Sequence, residues 1–280
     1  MLEKFEDFIT DLKNNSFVII REDNVEDNVE DNRELLKYRD AEGNFEEVYE
    51  EMKIKVPEKD WEYEDLGALS LDWDAVTDQS DEAYLWGGFQ LHNFSSALSS
   101  PSDFWEPYNE GRRFWENNPQ PEAEAIWKDF LPKLNYINGS GHGSDGTFGC
   151  ILREEGVYPC PMYFYDSGIW FELNMTLEEY YNTMLQCKAV YYWQYFYIDT
   201  EEIVKKLGNF KPVFIEHGGQ YLEGPHAFDD KLRDGTISTS VEGVLLQMKN
   251  IIKRFPKLFP DVDLAYFKER CAALEKALNK

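Results

Sequence analysis

Residues 127–185 read WKDFLPKLNYINGSGHGSDGTFGCILREEGVYPCPMYFYDSGIWFELNMTLEEYYNTML, and the fold follows from this stretch. Residues 148–153 are apolar and bounded by glycines, which predicts a short buried strand. Residues 162–165 and 169–173 are two aromatic runs separated by Asp166-Ser167-Gly168. This spacing predicts a β-hairpin, because Gly168 tolerates the positive φ that a tight turn requires. The period then changes from two to 3.6. Thr176-Leu177-Glu178-Glu179 has the form of a capping box, with Met175 and Tyr180 placed as a hydrophobic staple. Leu177, Tyr180, Tyr181 and Met184 form the apolar stripe of the helix that follows. A strand pair feeding a capped helix is an α+β unit.

Upstream, Leu2, Phe5, Phe8 or Ile9, and Leu12 predict an amphipathic helix ending at Asn14-Asn15, and 17–20 predicts a strand. Residues 22–32 (EDNVEDNVEDN) nearly repeat a four-residue unit. So acidic a tract reads as solvated, since it lacks apolar surface to offset the entropy of ordering, and it lacks the glycine bend and terminal Glu of an EF-hand loop. A helix is expected near 47–51 and a strand over 52–56. The alternation in 67–73 (GALSLDW) predicts a strand with Leu69, Leu71 and Trp73 on one face. Residues 84–91 (YLWGGFQL) predict a strand with a glycine bulge or bend at its centre, and 94–98 a helical turn.

Downstream, the aromatic run 190–198 (VYYWQYFYI) is expected to be a strand. Asp199 caps a short helix that Gly208 ends. Two helices close the chain. The first opens at a second capping box, Thr239-Ser240-Val241-Glu242, and ends before Pro256; the second starts near Asp261 or Asp263 and carries Leu264, Phe267, Cys271, Leu274 and Leu278 on one face.

The chain has 280 residues, ample for a sizeable core. No apolar run is long enough for a transmembrane helix, and the acidic N-terminus lacks the form of a signal peptide, so a cytoplasmic location is expected. The four cysteines are scattered and read as free buried thiols. Lys and Arg total 28 against 54 Asp and Glu, a formal charge of −26. That charge repels phosphate backbones, so nucleic acid is not an expected partner, and it favours rapid encounter with a basic one.

No catalytic set stands out. His142 and Asp145 lie in a glycine-rich loop that lacks a phosphate-binding lysine, and no G-x-S-x-G elbow occurs. His217, His226, Asp229 and Asp230 match no metal-ligand spacing. Glu154-Glu155 and Glu178-Glu179 offer carboxylate pairs, but in a sequence so rich in Glu they carry little information.

The segment 127–132 (WKDFLP), the glycine loop 141–146, the strands at 148–152 and 162–165, and the strand-to-helix passage 169–185 follow each other in the order of the SUKH superfamily, which this stretch resembles. The family includes the yeast cell-wall assembly regulator and bacterial toxin-immunity proteins. Residues 56–61 (VPEKDW) depart from the family's N-terminal proline segment, and the last eighty or so residues exceed its usual length.

The resemblance implies an α+β fold, with a mixed, mainly antiparallel sheet and flanking helices over residues 1–198. Residues 199–280 would be a mostly helical extension packed on it. It implies no catalysis and no cofactor. It also implies a protein partner, a toxin that the acidic charge suits if the toxin is a basic nuclease. Acids beside the glycine loop and hairpin (Asp145, Glu154, Glu155 and Asp166) are then the candidate contacts. Two other readings stay open: a carbohydrate-binding or carbohydrate-active protein, from aromatics beside carboxylates, and a regulatory scaffold of the same fold.

Overall fold

The computed structural model describes residues 1–23, 41–67, 69–76, 84–99, 130–139, 147–166, 169–208 and 240–279. Seven strands run in sequence order: β1 (Val18–Asp23), β2 (Ser70–Val76), β3 (Tyr84–Leu91), β4 (Leu134–Gly139), β5 (Thr147–Leu152), β6 (Met162–Asp166) and β7 (Ile169–Leu173). Each pairs antiparallel with its neighbour in sequence, giving one sheet of order β1-β2-β3-β4-β5-β6-β7. The helices are α1 (Leu2–Asn14), α2 (Ala41–Met52), α3 (Phe94–Ser99), α4 (Leu177–Gln186), α5 (Thr200–Leu207), α6 (Val241–Leu258) and α7 (Ala265–Leu278). The architecture is α+β with a helical C-terminal extension.

One face of the sheet carries Leu71, Trp73, Ala75, Leu85, Phe89, Ile151, Met162, Phe164, Phe171 and Leu173, all in one core cluster with Phe5, Tyr180, Tyr181, Ile203, Phe255 and Leu274 of the helices. The cluster thus joins α1, α4 and the closing helices. The register explains the selection: Leu71 faces Phe89, Phe164 faces Phe171, and Met162 faces both Ile151 and Leu173. The opposite face of β4–β7 holds a second cluster of Leu134, Cys150 and Tyr165, with Phe130, Tyr136, Phe148, Tyr163 and Trp170 against it. Strands apolar on both faces do not alternate cleanly, which is why 148–153 reads as a buried run.

The hairpin closes with Asp166 opposite Ile169. At α4 the capping box is complete: Thr176 Oγ1 accepts from Glu179 N at 3.2 Å, and Glu179 Oε2 accepts from Thr176 N at 2.7 Å. All four cysteines are free and buried.

Five expectations need correction. Residues 190–198 form a single bridge at Val190 and then a 3-10 helix, Trp193–Phe196, in place of a strand. Trp193, Gln194, Tyr195 and Phe196 are consecutive and all buried, a pattern that a half-covered strand cannot satisfy. The strand expected over 52–56 does not form: Met52 ends α2, and Lys53 adopts φ 55° and turns the chain so that Ile54 and Val56 plug the core. The α6 cap is Ser240, which accepts from Gly243 N at 3.0 Å; with glycine as the third residue the reciprocal half of a capping box is missing. That helix also runs through Pro256 to Leu258. Proline removes one N–H in the last turn, and burial of Phe255, Leu258 and Phe259 holds the turn in place.

Last, Gly87 and Gly88 make no bulge: β2 and β3 pair without a register break from Ser70–Gln90 to Val76–Tyr84. Their lack of a side chain serves close approach instead. A Cβ on Gly87 would lie 2.4 Å from Ala189 O and 2.6 Å from the Trp73 indole, and one on Gly88 would lie 2.3 Å from Leu71 O.

Candidate functional site

The close approach at Gly87-Gly88 lets a second segment dock on β3. Gly88 N donates to Ala189 O at 2.9 Å and Tyr191 N donates to Trp86 O at 3.2 Å, so residues 189–191 pair with the first half of β3. Among the described residues β4 pairs with β3 at Gln90 and Leu91. Three residues of this segment, Lys188, Ala189 and Tyr192, have φ of 53°, 48° and 68°, a conformation rare outside glycine. The surroundings hold them there. Trp73 Nε1 donates to Lys188 O at 2.9 Å, and Lys188 Nζ pairs with Asp11 and sits over the Phe259 ring.

The docked segment, the start of β3 and the middle of α6 form a small, half-open cavity of about 20 Å³ lined by Leu85, Trp86, Val190, Tyr191, Tyr192, Gln247, Asn250 and Ile251. Its walls are aromatic and aliphatic. Besides the tyrosine hydroxyls and the Trp86 indole N–H, its polar side-chain groups are the amides of Gln247 and Asn250. Gln247 is nine-tenths buried, and its Oε1 has no hydrogen-bond partner among the described residues. Asn250 is 7% exposed and makes no side-chain hydrogen bond to another described residue. Behind Tyr191 lies a buried carboxylate: the Tyr191 hydroxyl donates to Asp72 Oδ1 at 2.7 Å. At this volume the cavity has room for about one water molecule, which could satisfy the Gln247 acceptor.

Buried acids elsewhere are handled the same way. The Tyr158 hydroxyl donates to Asp60 at 2.8 Å, and Tyr195 donates to Asp166. Glu64 accepts from Ser95 N and Ser95 Oγ, both at 2.7 Å, and Asp74 accepts from Arg21. In a chain with half as many bases as acids, tyrosine hydroxyls and backbone N–H groups solvate carboxylates that lysine and arginine do not reach. Burial, then the Asp166 charge, raises the Tyr195 hydroxyl well above its ordinary pKa, so it stays a donor.

The candidate contact acids separate in space. Glu154 and Glu155 lie past the end of β5, Glu155 exposed and Glu154 half-exposed beside Lys133 Nζ at 3.4 Å. Asp166 sits on the helix-covered face, 4% exposed and bound to Tyr195, so as folded it presents no surface carboxylate. Asp145, His142, His217, His226, Asp229 and Asp230 lie outside the described residues. Among the described residues no three His, Cys, Asp or Glu groups are placed to hold a metal ion, and no helix is long and apolar enough to cross a membrane.

Sequence reasoning missed the pocket. Its parts are far apart in the chain, and Gln247 and Asn250 look like the solvent side of an amphipathic helix. The signal was there: Gln247, Asn250 and Arg254 follow at i, i+3 and i+7, so they share one side of α6, and all three are buried.

Comparison of the chain with family models, with curated proteins and with solved structures finds no match in any of the three.

Proposed function

We propose that this chain is a cytoplasmic, non-enzymatic binding protein of the toxin-immunity type that the SUKH resemblance implies, acting by occupying a basic protein partner. The observation that supports it most is where the acid lies. The formal charge is −26, and the five buried carboxylates of the described residues are each held by a hydroxyl, a backbone N–H or Arg21. Among the described residues the other carboxylates therefore lie outside the core, with Glu154 and Glu155 among them. Such a surface steers a cationic partner to rapid encounter, and aromatic and arginine anchors then hold the complex.

A carbohydrate-binding role is the second reading, favoured by one observation: aromatic rings beside carboxylates are also the chemistry of a sugar subsite.

The test is capture by the tagged chain from its own cell lysate and culture supernatant, at low and high salt. A basic protein retained at low salt and released at high salt supports the reading. Capture of no protein, together with a signal on a glycan array, overturns it in favour of the sugar-binding role.

A further inference from the structure

We infer that the outer edge of β7 receives an extended, basic segment of the partner as an added strand; this rests on the binding-protein reading. β7 ends the sheet and pairs on one side with β6. Lys206 Nζ donates to Trp170 O, so the Trp170 carbonyl points away from β6. In an antiparallel pair alternate residues turn their backbone groups the same way, so Glu172 faces outward as well. Among the described residues the Trp170 N–H and the N–H and C=O of Glu172 meet no partner. Open donors and acceptors along a sheet edge are the template for strand addition.

The side chains choose the guest. Glu172 stands opposite Tyr163, is exposed, and forms no ion pair among the described residues. Burial, then the charges of Glu172, Glu202 and Glu154, raises the Tyr163 hydroxyl above its ordinary pKa, so three carboxylates act on this end of the sheet. Two of them have bases nearby: Glu154 has Lys133 at 3.4 Å and Glu202 has Lys206 at 2.6 Å. Glu172 is left for a lysine or arginine of the guest, as a cross-strand pair. Until then Lys206 guards the edge, as lysines beside edge strands do. When a guest N–H replaces it at Trp170 O, its ion pair with Glu202 holds it.

The rivals fit less well. A second copy would bring the same acidic edge and a charge of −26, which opposes the contact. The opposite edge, β1, is broken by a register shift between Ile20 and Glu22, and Arg21 is drawn onto Asp74.

The full chain would be titrated with the peptide acetyl-Lys-Val-Lys-Val-Lys-Val-amide and with its glutamate counterpart, following backbone amide exchange by NMR. Two variants separate charge from backbone. Glu172→Gln removes the carboxylate alone. Glu172→Pro also removes the outward N–H and leaves the β6 ladder intact, a place where an edge strand tolerates proline. Should the proline variant fail to fold, exchange in the wild type and binding by Glu172→Gln still decide.

The expected result is saturable binding of the lysine peptide, with exchange at the Trp170 and Glu172 amides slowed about tenfold or more. Glu172→Gln weakens binding about threefold or more, a folded Glu172→Pro about tenfold beyond that, and the glutamate peptide is silent. No binding, unchanged exchange at both amides on saturation, equal binding by wild type and Glu172→Gln, or equal binding of the two peptides overturns the assignment. Capture separates this from the broader reading. If wild type and a folded Glu172→Pro retain a basic protein equally, the edge assignment fails and the binding-protein reading stands. If the lysine peptide protects both amides and no protein is captured, strand addition at β7 stands and the binding-protein reading fails.

Discussion

Gly149 shows how tightly single positions are specified. A Cβ there would lie 2.2 Å from the Tyr180 hydroxyl and 2.6 Å from its Cζ. The hydroxyl cannot move away, because it accepts from Asn138 Nδ2 at 3.0 Å and Gln194 Nε2 at 3.3 Å inside the core. Gly149→Ala should therefore destabilise by about 1–3 kcal/mol, or more if the ring shifts and leaves the two amides unpaired. Urea unfolding measures this, and a loss of under about 0.5 kcal/mol would show that the ring relaxes freely. His92 gives a pH signature at the same scale. Its ring meets Tyr136 edge-on at 4.3 Å, and burial lowers its pKa to about 4. The unfolded state takes up this proton near pH 6.5 and the folded state only near pH 4, so stability falls as pH drops between those values. His92→Gln should flatten that part of the pH dependence; an unchanged slope of urea midpoint against pH would remove His92 from the account.

Elements were legible where local chemistry decides them. The Thr176 box, the Asp199 cap and the β6–β7 hairpin each depend on neighbours in sequence, and all three formed as their residues dictate. β4 was missed because Asn135 and Asn138 interrupt its apolar pattern and a register shift falls between Tyr136 and Asn138. Those asparagines are buried through distant partners: Asn135 Nδ2 donates to Ala97 O at 2.7 Å, and Asn138 meets Tyr180. The aromatic run 190–198 was misread for a related reason. Phe196 stacks on Phe267 at 3.9 Å, so a helix seventy residues away decides its shape. The pocket is lined from three segments far apart in the chain (85–86, 190–192 and 247–251), and no local pattern announces it. Local capping carries its own prediction. Thr176→Ala should lower stability by about 1 kcal/mol, as loss of an N-cap does, while Thr176→Ser keeps the acceptor and most of the stability. Equal losses in both variants would place the effect in the Thr methyl instead of the cap.

At the scale of the whole molecule, one sheet with an apolar cluster on each face has to hold together a chain of formal charge −26. Like charges on a compact surface repel, and unfolding relieves the repulsion by moving them apart. The buried carboxylates do not share this burden, since each is hydrogen-bonded in place. The exposed ones do, and it is those that salt screens: the Debye length falls from about 30 Å at 0.01 M to about 8 Å at 0.15 M. Raising sodium chloride over that range should therefore raise the melting temperature of the free protein, with most of the gain complete by about 0.15 M. The same salt should weaken capture of a basic partner. The two responses have opposite signs because one charge excess opposes the fold and drives the encounter. Calorimetry on the free chain, alongside salt-dependent capture, reads both. A melting temperature that stays flat or falls with salt would mean that surface ion pairs such as Lys249–Glu275 and Lys133–Glu154 already offset the repulsion, and the steering argument would lose its source.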